Sequence, residues 1–147
     1  DGAANFGTTL DVAGVSTLST LAITTPTTVD YLLGSAVINV GSATSQTLFH
    51  VPDGKTAVGL RVVMSRCSGT LDQAQDADFQ IGCDATAYSN MVATATYVAP
   101  TGATGVKILA PQAESAICAA DSTYKVAVTV AATASTTCTF DLFGYEF

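Results

Sequence analysis

The chain has 147 residues, of which 48% are hydrophobic and only 12% charged, against about 25% charged in an average globular protein. Its formal net charge is −7, and the few basic residues, Lys55, Arg61, Arg66, Lys107 and Lys125, are scattered along the chain. They form no patch of the kind that displaces counterions from phosphates, so nucleic acid and anionic membranes are excluded as expected partners.

A surface so short of charge must be covered by Thr, Ser, Ala and Gly. That mix suits particle and surface proteins whose flat faces pack against neighbours. No apolar run reaches the roughly 18 residues of a membrane span, and the best candidate, Ala57 to Met64, contains Arg61, so membrane insertion is not expected. No signal peptide is visible. The chain opens on Asp1 rather than Met, so a processed or omitted N-terminus is expected.

The first 30 residues differ from the rest. Residues 6–23 read FGTTLDVAGVSTLSTLAI, with Phe6, Val12 and Leu18 spaced six apart and Leu10, Val15, Leu21 and Ile23 as a second apolar set. Thr, Val and Gly disfavour helix, and no 3.6-residue period is present. Short β-segments joined by tight turns are predicted. Such a segment cannot bury its own apolar side chains. Identical copies from neighbouring subunits bury them together, as stacked repeats do. These seven residues are therefore the predicted oligomerisation set, with a trimer as the expected state. A flexible arm lying along a partner is the alternative. Residues 24–36, TTPTTVDYLLGSA, read as a connector in which Pro26 interrupts a ladder and Gly34-Ser35 permits a turn.

From Val37 to Phe147 the chain reads as a succession of strands, giving two units, an arm over 1–30 and a sandwich over 31–147. Val58, Leu60, Val62 and Met64 alternate with Ala57, Gly59, Arg61 and Ser65. Ala77, Phe79, Ile81 and Cys83 alternate with Asp76, Asp78, Gln80 and Gly82. Tyr124, Val126, Val128 and Val130 form a third set, and Cys138, Phe140 and Leu142 a fourth. Each pattern predicts one buried and one wet face.

Weaker strands are expected at 37–40, 46–51, 91–98, 104–110 and 115–118. Turn signals stand at Pro52-Asp53-Gly54, Ser68-Gly69, Pro100-Thr101-Gly102 and Ala120-Asp121-Ser122. Eight or nine short strands predict an all-β sandwich, jelly-roll-like in its connections.

Cys67, Cys83, Cys118 and Cys138 contain no CxxC spacing, which argues against zinc. Their even number permits two disulfides in any of three pairings, and four reduced thiols remain the alternative. Period 2 places Cys83 and Cys138 on the core face and Cys67 and Cys118 on the opposite one.

An inventory of catalytic groups predicts no enzyme and no catalytic residue. His50 is the only histidine, on the opposite strand face from Phe49 and Val51, and no serine sits in a GxSxG elbow. Asp72, Asp76, Asp78 and Asp84 cluster in sequence. Paired acids hydrolyse glycosides and oxygen clusters hold calcium. Here the parity of Asp76 and Asp78 points them to solvent, and the Gly and terminal Glu of an EF-hand loop are missing. Gly102-Ala103-Thr104-Gly105 lacks the Lys-Ser/Thr of a phosphate loop. No metal and no cofactor are expected. Tyr88, Asn90 and Tyr97 lie near one loop and strand and form a candidate sugar-binding patch, although Trp, the best ring for stacking on sugars, is absent.

The segment Gly7 to Ile23, GTTLDVAGVSTLSTLAI, resembles the Gly-Thr-Leu-Val repeats of bacteriophage fibre shafts. The part that opens with Phe49-His50-Val51-Pro52-Asp53-Gly54-Lys55 and closes with Phe143-Gly144-Tyr145 is similar to the β-sandwich knobs of phage head fibres, tail fibres and capsid decoration proteins. The resemblance implies a homotrimer anchored by its N-terminal part, in contact with capsid, neck or tail proteins, with the sandwich displayed on the virion surface. It carries over no catalytic residue. A phage protein folds in reducing host cytoplasm, so the resemblance also implies reduced thiols.

The expected function is that of a virion structural protein, a fibre or capsid-decoration subunit. The alternatives are a tail-fibre knob that binds a host surface glycan and a bacterial surface β-module.

Overall fold

A computed structural model describes residues 31–68, 77–97, 105–109, 111–112, 117–132 and 136–147. The described residues form nine strands: β1 (Tyr31–Asn39), β2 (Ser45–His50), β3 (Ala57–Ser65), β4 (Ala77–Gly82), β5 (Val92–Tyr97), β6 (Val106–Leu109), β7 (Ile117–Cys118), β8 (Thr123–Val130) and β9 (Thr137–Glu146). All pairings are antiparallel.

The first sheet has the order β1-β9-β3-β6, with β7 also on β3, and the second has the order β2-β8-β4-β5. β6 lies against Val62–Ser65 and β7 against Ala57–Val58, so the two together fill one edge position. The chain passes from one sheet to the other at every connection except the β4–β5 hairpin and the step from β6 to β7. That winding is a jelly roll, the two-sheet solution in which inward side chains of both sheets share one core.

The core shows why these segments became strands. Ile38, Val62, Met64, Cys138, Phe140 and Leu142 of the first sheet face Phe79, Ile81, Tyr124 and Val126 of the second, and all are buried. Phe79 meets the Phe140 edge at a centroid distance of 5.4 Å and stacks on Tyr97 at 4.1 Å. Tyr124 crosses the sandwich, where its hydroxyl accepts the Gly59 N–H at 3.0 Å and donates to the Ala57 carbonyl at 3.2 Å. Burial pushes this phenol up to about 12, against a smaller lowering effect of the Gly59 N–H. Both partners lie just before a bulge in β3, between Gly59 and Arg61, so Tyr124 serves backbone groups leading into an irregular stretch of ladder.

The bulges also account for departures from strict alternation. In β3 the buried positions are Ala57, Gly59, Val62 and Met64, while Val58 and Leu60 are only half-buried. The extra residue at Leu60 shifts the parity between the two halves of the strand. In β8 the register shift opposite Asp78/Phe79 turns Val130 outward, where it is exposed.

The connector expected over 24–36 gives way to β1 from Tyr31 onward, and Gly34-Ser35 is strand rather than turn. Gly34 lies opposite Leu142 just after a bulge, and a Cβ there would stand 2.8 Å from the Leu48 carbonyl oxygen, so the glycine permits β1 to approach β2.

The predicted turns at 52–54 and 120–122 are present. Gly54 has φ 72° and Asp121 φ 62°, and Lys55 N–H and Ser122 N–H close the turns on the carbonyls of Pro52 and Ala119.

The cysteines depart from the reduced-thiol expectation. Cys67 pairs with Cys138, and Cys83 with Cys118. Cys67 and Cys118 are buried, against the parity expectation. Arg66, at φ 48°, ends the extended run of β3 and resets the direction of the next side chain, bringing Cys67 beside β9. The Cys83–Cys118 bridge runs from the end of β4 to β7 and so joins the two sheets.

Candidate functional site

The two outward sheet faces are the largest chemical features of the described molecule, and they differ. Directly opposite residues in a ladder share a face, so the register defines rows across the first sheet. One row runs Val37, Thr139, Ser65, Val106, and the next Ser35, Asp141, Val63, Ile108. A third holds Leu32, Phe143 and Arg61, and a fourth Tyr145, Val58 and Ile117. Val37 is 69% exposed, Ile108 64% and Ile117 60%.

The charged members of these rows are Arg61, whose guanidinium lies 4.9 Å from the Phe143 ring centroid, and Asp141, which accepts a hydrogen bond from the Ser35 hydroxyl. Valine, leucine and isoleucine dominate both rims, with Ser35 between Leu32 and Val37, and the middle carries Arg61, Asp141, Thr139 and Ser65 beside Val58, Val63 and Phe143. Scattered apolar residues on a surface need no explanation, but a contiguous apolar face marks a contact surface. The expected wet outer face of the first sheet is therefore corrected by these rows.

The outer face of the second sheet is built from small hydroxyl side chains. Ser45 and Thr47 on β2 and Thr94 and Thr96 on β5 are exposed, and Thr123 and Lys125 on β8 share their face. The β4–β5 loop folds back over part of it. Asp84 holds the loop from one side by accepting the N–H groups of Ala87 (3.1 Å), Ser89 (2.7 Å) and Asn90 (3.4 Å). Asn90 holds it from the other by accepting those of Cys83 at 2.7 Å and Asp84 at 3.3 Å. The Gln80 amide donates to the Ala87 carbonyl. The loop rests directly on Gly82, where a Cβ would meet the Asn90 nitrogen at 2.7 Å.

The sugar-patch residues are divided by this geometry. Tyr88 and Asn90 sit in the loop beyond the end of β4, whereas Tyr97 lies opposite Ala77, where β4 begins. Asn90 spends its carbonyl oxygen on the loop backbone. Tyr97 stacks on Phe79, its hydroxyl reaches the Ala93 carbonyl at 3.3 Å, and burial raises its pKa. Tyr88 faces solvent beside Lys125, whose ammonium donates to its hydroxyl at 3.1 Å and lies 4.7 Å from the ring centroid. Between them opens a cleft of about 200 Å³ lined by Cys83, Ala85, Tyr88, Ser122, Thr123 and Lys125. Sequence spacing could not reveal Lys125 or Ser122, because they come from β8 and the turn before it, more than 30 residues away.

His50 is exposed on β2. Its Nδ1 lies 3.1 Å from the Thr123 hydroxyl and its Nε2 is 3.5 Å from Asp121. This is a hydroxyl–imidazole–carboxylate chain, but the imidazole is 55% exposed and the carboxylate 80%. A nucleophile is activated by a buried, oriented base, which this solvated chain does not provide.

Asp78 is half-buried on the outer face and Asp84 is committed to its loop. Among the described residues no three His, Cys, Asp or Glu side chains gather as a metal site. Asp72 and Asp76 lie outside the described residues, as do Phe6, Leu10, Val12, Val15, Leu18, Leu21 and Ile23, the residues expected to drive oligomerisation, and most of the Gly102–Gly105 segment.

These features define a jelly-roll sandwich with one apolar and one hydroxyl-rich outer face. The same fold occurs in two solved phage capsids. A chain in the acidic stable capsid structure of Helicobacter pylori bacteriophage KHP30 matches with a TM-score of 0.51 and 18% identity, over 81% of this chain and 93% of that one. A chain in the cyanophage Pam1 capsid asymmetric unit matches with a TM-score of 0.52 and 15% identity, over 87% of this chain and 93% of that one. At such identities the likeness is one of fold. No protein-family model matches the sequence, and no curated protein matches it.

Proposed function

We propose that this protein is a virion structural subunit, a trimeric fibre or capsid-decoration protein whose sandwich stands on the particle surface. The observation that carries the reading is the apolar outer face of the first sheet on a fold shared with chains of two phage capsids. Burying such a face against a neighbouring virion protein removes apolar area from water, at about 25 cal/mol per Å² before the costs of association. The role is passive: shape, burial and repetition over a symmetric shell. Residues 6–23, rich in apolar side chains, are the proposed trimer-forming segment.

The test has two arms. Quantitative mass spectrometry of gradient-purified virions should find the chain at a copy number that matches a symmetry-related set of shell or fibre sites. Full-length protein should be trimeric by light scattering, and deletion of residues 1–25 should give monomers. Absence of the chain from purified virions would overturn the structural role. A truncated protein that remains trimeric would move the association element into the sandwich.

The Cys67–Cys138 and Cys83–Cys118 bridges favour a second reading, a bacterial surface β-module, because disulfides persist in oxidising compartments. The same virion measurement separates the two.

A further inference from the structure

We infer that the cleft between the β4–β5 loop and β8 is a binding site for an acidic sugar, a hexuronic acid residue whose carboxylate is taken by Lys125. Lys125 stands on the outer face of the second sheet between Thr47 and Gly82, its neighbours in the ladders. Thr47 is small, and the place above Gly82 is taken by the β4–β5 loop, which brings the Tyr88 hydroxyl onto the ammonium from one side. Among the described residues its polar partner is the Tyr88 hydroxyl, 3.1 Å away, and no carboxylate pairs with it. An ammonium has three donors, which leaves two for a ligand. In a chain of net charge −7, a half-buried cation that keeps clear of carboxylates is held in place by other features.

Two backbone observations mark the same place. Among the described non-glycine residues, positive φ occurs at Arg66, Tyr88 and Asp121, and the last two flank the cleft. Tyrosine gains nothing locally from this conformation, unlike asparagine or aspartate, so the surrounding loop must hold it there. What the conformation achieves is to set the Tyr88 phenol on Lys125 and its ring along the cleft wall. The bonds from Asp84 and Asn90 to the loop backbone hold that geometry without a ligand.

The lining selects the ligand class. Around a space of about 200 Å³ stand the Tyr88 ring, the positive charge of Lys125 and the hydroxyl oxygens of Ser122, which donates to the Ala119 carbonyl, and of Thr123, which lies against His50 Nδ1. A bare inorganic anion would leave most of that space and the ring unused. A neutral sugar would leave the ammonium without a counter-charge. A pyranose ring bearing a carboxylate uses all of them: the ring packs on Tyr88, its hydroxyls donate to the Ser122 and Thr123 oxygens, and the carboxylate accepts from Lys125 in a charge-assisted bond. The inference concerns the free subunit and does not depend on the virion reading.

The experiment is an amide-shift titration of the ¹⁵N-labelled full chain at low salt with methyl β-glucuronide, methyl β-glucoside and acetate in parallel. The expected result is saturable shifts confined to residues 84–90 and 122–125, with the glucuronide binding roughly tenfold more tightly than the glucoside, the scale of one added charge-assisted hydrogen bond. Lys125→Gln should erase that preference, and Tyr88→Ala should weaken both sugars. No saturable shift, equal affinity for the two glycosides, or shifts elsewhere on the fold would overturn the proposal. Acetate matching the glucuronide would sink the sugar class and leave only a carboxylate site. The wild-type ratio decides the matter even if a variant fails to fold.

Discussion

The outer faces of the two sheets began from the same architecture and were finished differently. The second sheet carries hydroxyl side chains and is partly roofed by its own β4–β5 loop, pinned by Asp84 and Asn90. The first sheet carries Val37, Val63, Ile108 and Phe143 in adjoining rows and has no such roof among the described residues. In a sandwich the inward residues of both sheets are constrained alike by the shared core, so the outward residues are where a subunit records what surrounds it. A face that stays in water is satisfied by Thr and Ser. A face of Val, Ile and Phe is satisfied only when something covers it.

The largest expected effect comes from cutting the joint between the two regions. The Cys83–Cys118 bridge ties the foot of the roof to β7 of the first sheet and closes a loop of 35 residues. Replacing both cysteines by alanine should lower unfolding free energy by about 3 to 4 kcal/mol on the loop-entropy account. Urea denaturation of the double variant measures it, and a change under 1 kcal/mol would show that the sheets do not need this joint.

Removing the roof's anchor should cost less. Asn90→Ala leaves the Cys83 and Asp84 N–H groups without their acceptor, at about 1 to 2 kcal/mol. Hydrogen exchange should rise across residues 83–90 and stay unchanged in β1, β3 and β9. Exchange that rises equally in both sheets would mean that the roof is not a separate unit.

The smallest effect on the isolated subunit belongs to the bare face. Val106→Thr with Ile108→Thr, at positions 60% and 64% exposed, should change monomer stability by less than about 0.5 kcal/mol, while, under the proposed virion role, pull-down of virion proteins falls severalfold. A large loss of monomer stability would mean that the face is already covered within the chain.

The sequence disclosed the core strands well wherever the strand itself carries no extra residue. Ala77, Phe79 and Ile81, and Cys138, Phe140 and Leu142, are buried as their alternation predicts. It misled where a bulge inserts a residue, as at Leu60 and beside Val130, because period 2 carries no memory of an extra residue. β1 was hidden by Gly34-Ser35, which reads locally as a turn and is strand because it pairs with Leu142 and Asp141 of β9.

The bare face was hidden for a different reason. Alternation assumes one wet side, and Val62-Val63-Met64 is apolar on both. The cleft was half legible: Tyr88 stood out as an aromatic in a polar loop, whereas Lys125 joins it only through the pairing of β4 with β8. Tyr97, close to Tyr88 in sequence, was carried to the opposite end of the hairpin by the same pairing rule that brought Lys125 near.

The place of β9 has a consequence for how the protein is made. It is the last of the described strands in sequence, yet it lies between β1 and β3, which do not pair with each other. On the ribosome the first sheet therefore has no middle until residue 146 clears the exit tunnel, and any product released early is left with two unmatched strand edges. A copy that stops short of β9 lacks the strand that joins β1 to β3, so this sheet closes only after residues 137–146 have been made.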